Sequence, residues 1–104
     1  MNRGEIRWYK FQHPDKRRPV LIIHRDDVIA HLGEITVAPV MSKIRNIPTE
    51  VFLSKEDGMK QDCVVNLDHI QTVSKGRIGP LITTLSETKM NLVGRAVRFA
   101  LDLW

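Results

Sequence analysis

The chain has one cysteine, Cys63, so no intrachain disulfide can staple it and no second thiolate is at hand for a zinc site. Cys63 stands in the apolar run "QDCVVNL", where a free thiol behaves as a small buried hydrophobe. No apolar stretch approaches the roughly 20 residues that a membrane-spanning helix needs. The opening "MNRGEIRWYK" lacks the apolar core of a signal peptide, so a cytoplasmic protein is expected. A Gly-rich phosphate loop, a Gly-x-Ser-x-Gly elbow, internal repeats and low-complexity linkers are all missing. The four histidines, His13, His24, His31 and His69, show no ligand spacing. These absences count against nucleotide-driven work, serine hydrolysis and a bound metal, and no cofactor is expected.

What is present suits one compact domain, residues 1–104, with 42% hydrophobic side chains. Sixteen Lys plus Arg against twelve Asp plus Glu leave a formal charge of +4, which suits a polyanion or an acidic partner.

Period-two patterning dominates the first four fifths of the chain. "GEIRWYKF" (4–11) reads as a half-buried strand, with Ile6 and Trp8 on one face and Arg7 and Tyr9 on the other. Pro19 opens a second strand, and "VLII" after it has the continuous apolar character of a strand covered on both faces. A short helical turn over Asp26 to His31 precedes a third strand, 34–40, in which Pro39 suggests a bulge or an exit. Residues 49–53 form a fourth strand, Asp57-Gly58 a turn, and "DCVVNL" a fifth. A short strand or turn lies within 68–79, and a last strand spans 80–85. The period then changes. Ser86 is a good N-cap, and Met90, Val93, Val97 and Leu101, with Ala96 and Ala100, make an apolar stripe at helical spacing. The expected fold is mainly β with a C-terminal α-helix, a small SH3-like barrel.

Two basic loops flank core strands, 12–18 and 41–47. The first offers His13, Lys16, Arg17 and Arg18; the second offers Ser42, Lys43 and Arg45. Loops at strand ends of a small barrel converge on one rim, where guanidinium and hydroxyl groups can hold a phosphate. Pattern alone does not separate such a rim from ordinary solvated charge.

The segments "RGEIRWYKF", "KRRPVLII", "ITVAPVMSKIRNIPTEV", "GMKQDCVVNLDHIQTVSKGRIG" and "LSETKM…ALDLW", in that order, resemble the MazF/PemK family of toxin ribonucleases from bacterial toxin–antitoxin pairs. The resemblance runs over nearly the whole chain. It implies an SH3-like barrel, a symmetric homodimer and metal-independent cleavage of single-stranded RNA, often mRNA at short motifs. In that chemistry the ribose 2′-OH attacks the adjacent phosphorus and leaves a 2′,3′-cyclic phosphate and a 5′-OH. The cognate antitoxin of the family carries an acidic C-terminal segment that wraps the toxin.

The family's catalytic arginine precedes the strand-opening proline, which makes it Arg18 here, as stabiliser of the phosphorane and assistant to proton transfer. A second catalytic hydroxyl, Thr or Ser in relatives, aligns with Met41, which has no donor. Either Ser42, one residue later, takes the role or the chain relies more on Arg18; Ser42 is the preferred assignment. His13, Lys16, Arg17, Lys43 and Arg45 are the RNA-binding candidates, and His13, in the same loop as Arg18, is a candidate general acid or base, although a loop histidine is more often a solvated bystander. A gyrase-inhibiting toxin of the same fold and a non-catalytic SH3-like binding module are the alternatives. The terminal "LDLW" suits the former, although packing explains an aromatic terminus equally well.

Overall fold

A computed structural model describes residues 1–10 and 16–104. The strands are β1 (Glu5–Lys10), β2 (Arg17–Ile22), β3 (Glu34–Met41), β4 (Glu50–Leu53), β5 (Cys63–Asn66), β6 (Gln71–Ser74) and β7 (Ile78–Thr84). A one-turn helix α1 (Asp26–Ile29) links β2 to β3, and α2 (Glu87–Ala100) follows β7. All pairings are antiparallel, in the order β4-β5-β3-β2-β1-β7 with β6 also on β3. The mainly β, helix-terminated architecture expected from the sequence is the one observed.

The barrel is open. Among the described residues β4 and β7 share no ladder, and the gap is bridged through the β4–β5 turn, where the Thr83 hydroxyl donates to the Asp57 carbonyl at 2.9 Å.

Alternation in β2 and β3 builds two cores. Leu21, Ala38 and Val40 point to the face covered by α2, where Val51, Leu53, Val65, Val93 and Ala96 meet them. Val20, Ile22, Ile35 and Val37 point the other way, against Tyr9, Ile29 and Val73. A strand buried on both faces must be apolar at every position, which is why "VLII" carries no polar residue. Truncation of the fully buried Leu21 to Ala falls in the range of about 2–5 kcal/mol.

Pro39 neither ends β3 nor exits from it. β6 pairs with β3 as far as Val37 and β5 takes over from Val40, so the residue without an N–H sits in the interval between two partners on one edge. The first strand is likewise covered more than expected. Tyr9 is buried on the second core while Ile6 is buried on the first. The helical stripe holds for Met90, Val93, Ala96, Val97 and Ala100, but Leu101 lies beyond the helix and is exposed.

Candidate active site and nucleic-acid interface

Arg17 and Arg18 belong to a strand, not to the loop before it. They pair with Lys10 and Tyr9, so the ladder with β1 begins two residues ahead of Pro19. The expected boundary fails because β1 extends far enough to pair with them. The consequence for Arg18 is a backbone fixed by the sheet.

Register then assembles a row across the sheet. Pro19 lies opposite Trp8 of β1, and Val20 opposite Pro39 of β3, which carries the row toward Val40 and the strand end at Met41. Trp8, Arg18, Pro19, Met41 and Ser42 line a cavity of about 430 Å³. Arg18 and Ser42, the two catalytic candidates, thus share one site. The Arg17 guanidinium lies 4.9 Å from the centre of the Trp8 ring, a cation–π contact that restrains its side chain.

Met41 lines the same cavity, but its thioether accepts a hydrogen bond from the buried Asn66 carboxamide at 3.5 Å. The site therefore has a structural tie at Met41 and a free-standing hydroxyl at Ser42, which is exposed.

The other candidates lie elsewhere. Lys16 is exposed just before β2, outside the cavity lining. Lys43 and Arg45 are exposed in the β3–β4 loop and do not reach the cavity, and the Arg45 backbone N–H donates to Glu50 Oε1 at 2.9 Å. His13 falls outside the described residues. His24 Nδ1 accepts the Thr36 N–H at 3.1 Å, a structural role. Among the described residues no group of three His, Cys, Asp or Glu side chains is arranged to hold a metal.

The opposite wall went unnoticed in the sequence. Met59, Lys60 and Gln61 come from the β4–β5 turn, and Leu81 and Ile82 from β7. The turn signal at Asp57-Gly58 marks the reversal but not the partner it packs on. Cys63 also reaches this wall; burial, then the nearby Asp62 and Asp57 carboxylates, push its thiol above the ordinary value of 9.0 and keep it protonated.

The family model described as a PemK-like, MazF-like toxin of type II toxin–antitoxin systems matches residues 2–101. This chain belongs to the PemK/MazF toxin family. It is 37% identical over 89 residues to the endoribonuclease MazF3 of Mycobacterium tuberculosis, covering 86% of each chain. The solved Mycobacterium tuberculosis toxin MazF-mt6 superposes with a TM-score of 0.88 at 34% identity, over 96% of this chain and 98% of that one. A mycobacterial endoribonuclease in complex with its cognate antitoxin shares the fold at a TM-score of 0.89 and 24% identity, over 100% and 97% of the two chains. These relatives support the ribonuclease branch of the fold and not the gyrase-inhibiting one. Packing does not account for the terminal aromatic, however, because Trp104 is fully exposed.

Proposed function

We propose that this PemK/MazF-family toxin is an endoribonuclease that cuts single-stranded RNA, mRNA included, at the phosphate held by Arg18 and Ser42. What carries the reading is that one cavity is lined by both side chains, one fixed on β2 and the other just past the end of β3. The 2′-oxygen attacks phosphorus as its proton leaves, the P–O5′ bond breaks, and the departing oxygen gains a proton. A 2′,3′-cyclic phosphate and a 5′-OH result. A guanidinium is a poor proton carrier, so the part of Arg18 is to stabilise the phosphorane oxygens, with the Ser42 hydroxyl adding a hydrogen bond. The sheet beneath Arg18 supplies positioning, which is worth as much as charge in such a displacement. Duplex geometry holds the 2′-OH away from the in-line approach, hence the preference for unpaired strands.

The partners follow from the same surface. A groove between β4 and α2 combines apolar Phe52, Leu92 and Phe99 with two cations, Lys89 and Arg95, against one carboxylate, Glu50, a balance that suits an acidic, partly apolar antitoxin segment. Exposed apolar side chains just beyond α2, Leu101 and Leu103, favour a homodimer.

The test is cleavage of a labelled single-stranded RNA in excess EDTA by wild type, Arg18→Ala and His13→Ala. Wild type is expected to leave cyclic-phosphate ends at a recurrent motif. Arg18→Ala loses about 10²-fold or more of the rate, and His13→Ala keeps most of it. An active Arg18→Ala enzyme would sink the assignment.

A further inference from the structure

We infer that Lys89, on α2 and outside the active cavity, is a positioning residue for RNA cleavage, clamping through Asp57 the turn that forms one wall of that cavity; this rests on the ribonuclease reading above. Lys89 stands where a cation is least expected. It lies in the first turn of α2, its own N–H held by the N-cap Ser86, where the aligned peptide dipoles disfavour positive charge. Acceptors from outside the helix meet its ammonium. Nζ donates to the Phe52 carbonyl of β4 at 2.6 Å, lies 3.6 Å from Asp57 Oδ2 and stands 5.9 Å from the centre of the Phe52 ring. One side chain thus joins helix, strand and turn.

Asp57 is the other half of the clamp. Its carboxylate also accepts the Ser54 N–H at 2.9 Å, its carbonyl accepts the Thr83 hydroxyl at 2.9 Å, and the Met59 N–H closes the turn on the Ser54 carbonyl at 3.2 Å. Gly58 follows with φ +95°, and a Cβ built there would stand 2.2 Å from Thr83 Oγ1, so the turn lies flush on β7. Met59, Lys60 and Gln61 come next in the chain, and they line the cavity. Two supports therefore hold this wall, β7 on one side and Lys89 on the other.

Loss of the clamp is a local event. The packing that fixes α2 to the sheet, Val93 and Ala96 against Val51 and Leu53, does not involve Lys89, so the domain stays folded when the ammonium is removed and the turn alone loosens. An in-line displacement depends on placement, and a wall that shifts lets the bound strand stray from it. Lys89 also lines the groove between β4 and α2, beside Leu92 and Phe99. That groove is thereby tied to the wall of the active cavity through one ion pair.

The test compares wild type, Lys89→Met, Lys89→Arg, Asp57→Asn and the Lys89→Met/Asp57→Asn double variant on labelled single-stranded RNA in excess EDTA, below the melting temperature of each. Lys89→Met is expected to lower kcat roughly tenfold and to change KM by less than about twofold, the signature of lost placement and not of lost binding. Lys89→Arg keeps the charge and restores most of the rate. Asp57→Asn, whose carboxamide still accepts the Ser54 N–H, matches Lys89→Met and carries the comparison if that variant melts early. The double variant is no slower than either single one, because both remove the same interaction. Arg98→Met, which takes a cation from the far end of the same helix, leaves cleavage unchanged. The one cysteine of the chain gives a second readout. Cys63 is 5% exposed and lines the cavity just after the turn, so maleimide is expected to alkylate it several-fold faster in Lys89→Met than in wild type. A folded Lys89→Met enzyme with wild-type kcat, losses that add in the double variant, or an unchanged alkylation rate overturns the inference. If the wild type cuts no RNA, the ribonuclease reading falls and the positioning role with it, whereas the alkylation rate still reads the clamp by itself.

Discussion

Two side chains near the ends of strands show how much one partner decides. Glu5 is buried at the start of β1, and burial alone would push its carboxyl up; the Arg7 hydrogen bond at 2.7 Å, with Asn2 and the local positive charge, outweighs that and holds it below the ordinary 4.5. Arg7 in turn donates to the Gly79 carbonyl, so the pair ties β1 to β7. A depressed carboxylate stabilises the fold fully above its unfolded value and ceases to do so as pH falls through the folded one. Glu5→Gln should therefore be less stable than wild type at neutral pH, with the difference closing below about pH 4 in urea titrations. At the site, Met41 and Ser42 separate by role. Ser42→Ala should lower the cleavage rate about 10²-fold at constant melting temperature. Met41→Ala should cut normally but lose about 1–3 kcal/mol, because the Asn66 amide is left without its acceptor. The reverse pattern would transfer the catalytic hydrogen bond away from Ser42. Arg18 and Ser42 were visible as candidates through the family resemblance, which points to the arginine before Pro19 and to a hydroxyl near the end of β3, and the structure brings both to one cavity. Lys60 and Gln61 were not, because their neighbours across the cavity are remote in sequence.

At the scale of the element, α2 was legible at its N-terminal end. Ser86 accepts the Lys89 N–H at 3.1 Å as the N-cap that the sequence announces. The other end closes in a Schellman motif, with Asp102 N–H on Phe99 O at 3.2 Å and Leu103 N–H on Arg98 O at 2.7 Å. Its left-handed position, φ +55°, is filled by Asp102 where glycine is the usual residue. The stripe was extended one residue too far, to Leu101, because periodicity cannot see that this reversal turns the chain away from the sheet. Asp102→Gly should stabilise the protein by about 0.5 kcal/mol, seen as a small rise in melting temperature without change in cleavage. Strand identities were legible for the opposite reason. In the middle of β2 and β3, Val20 to Ile22 and Ile35, Val37, Ala38 and Val40 are each committed to one core or the other, so composition and alternation left little choice.

For the molecule as a whole, strand existence was readable but strand order was not. Hydrophobic alternation says which residues are buried and nothing about the neighbour they are buried beside, so the pairing of the first strand with the last had no local signature. That pairing, Glu5 with Thr84 and Tyr9 with Ile78, breaks register on both sides of Arg7, and it brings Leu81 and Ile82 to the wall they share with Met59 and Gln61. It also orders events during synthesis. A nascent chain that has released β1 through β6 still lacks β7, and with it one side of the cavity and the anchor of the Gln61 turn. A chain ending at Arg77 should bind and cut no RNA and show no cooperative unfolding by circular dichroism. Translation must therefore pass β7 before the product can attack a message, so the place of this strand in the chain sets a delay between the first folded strands and the first complete cavity.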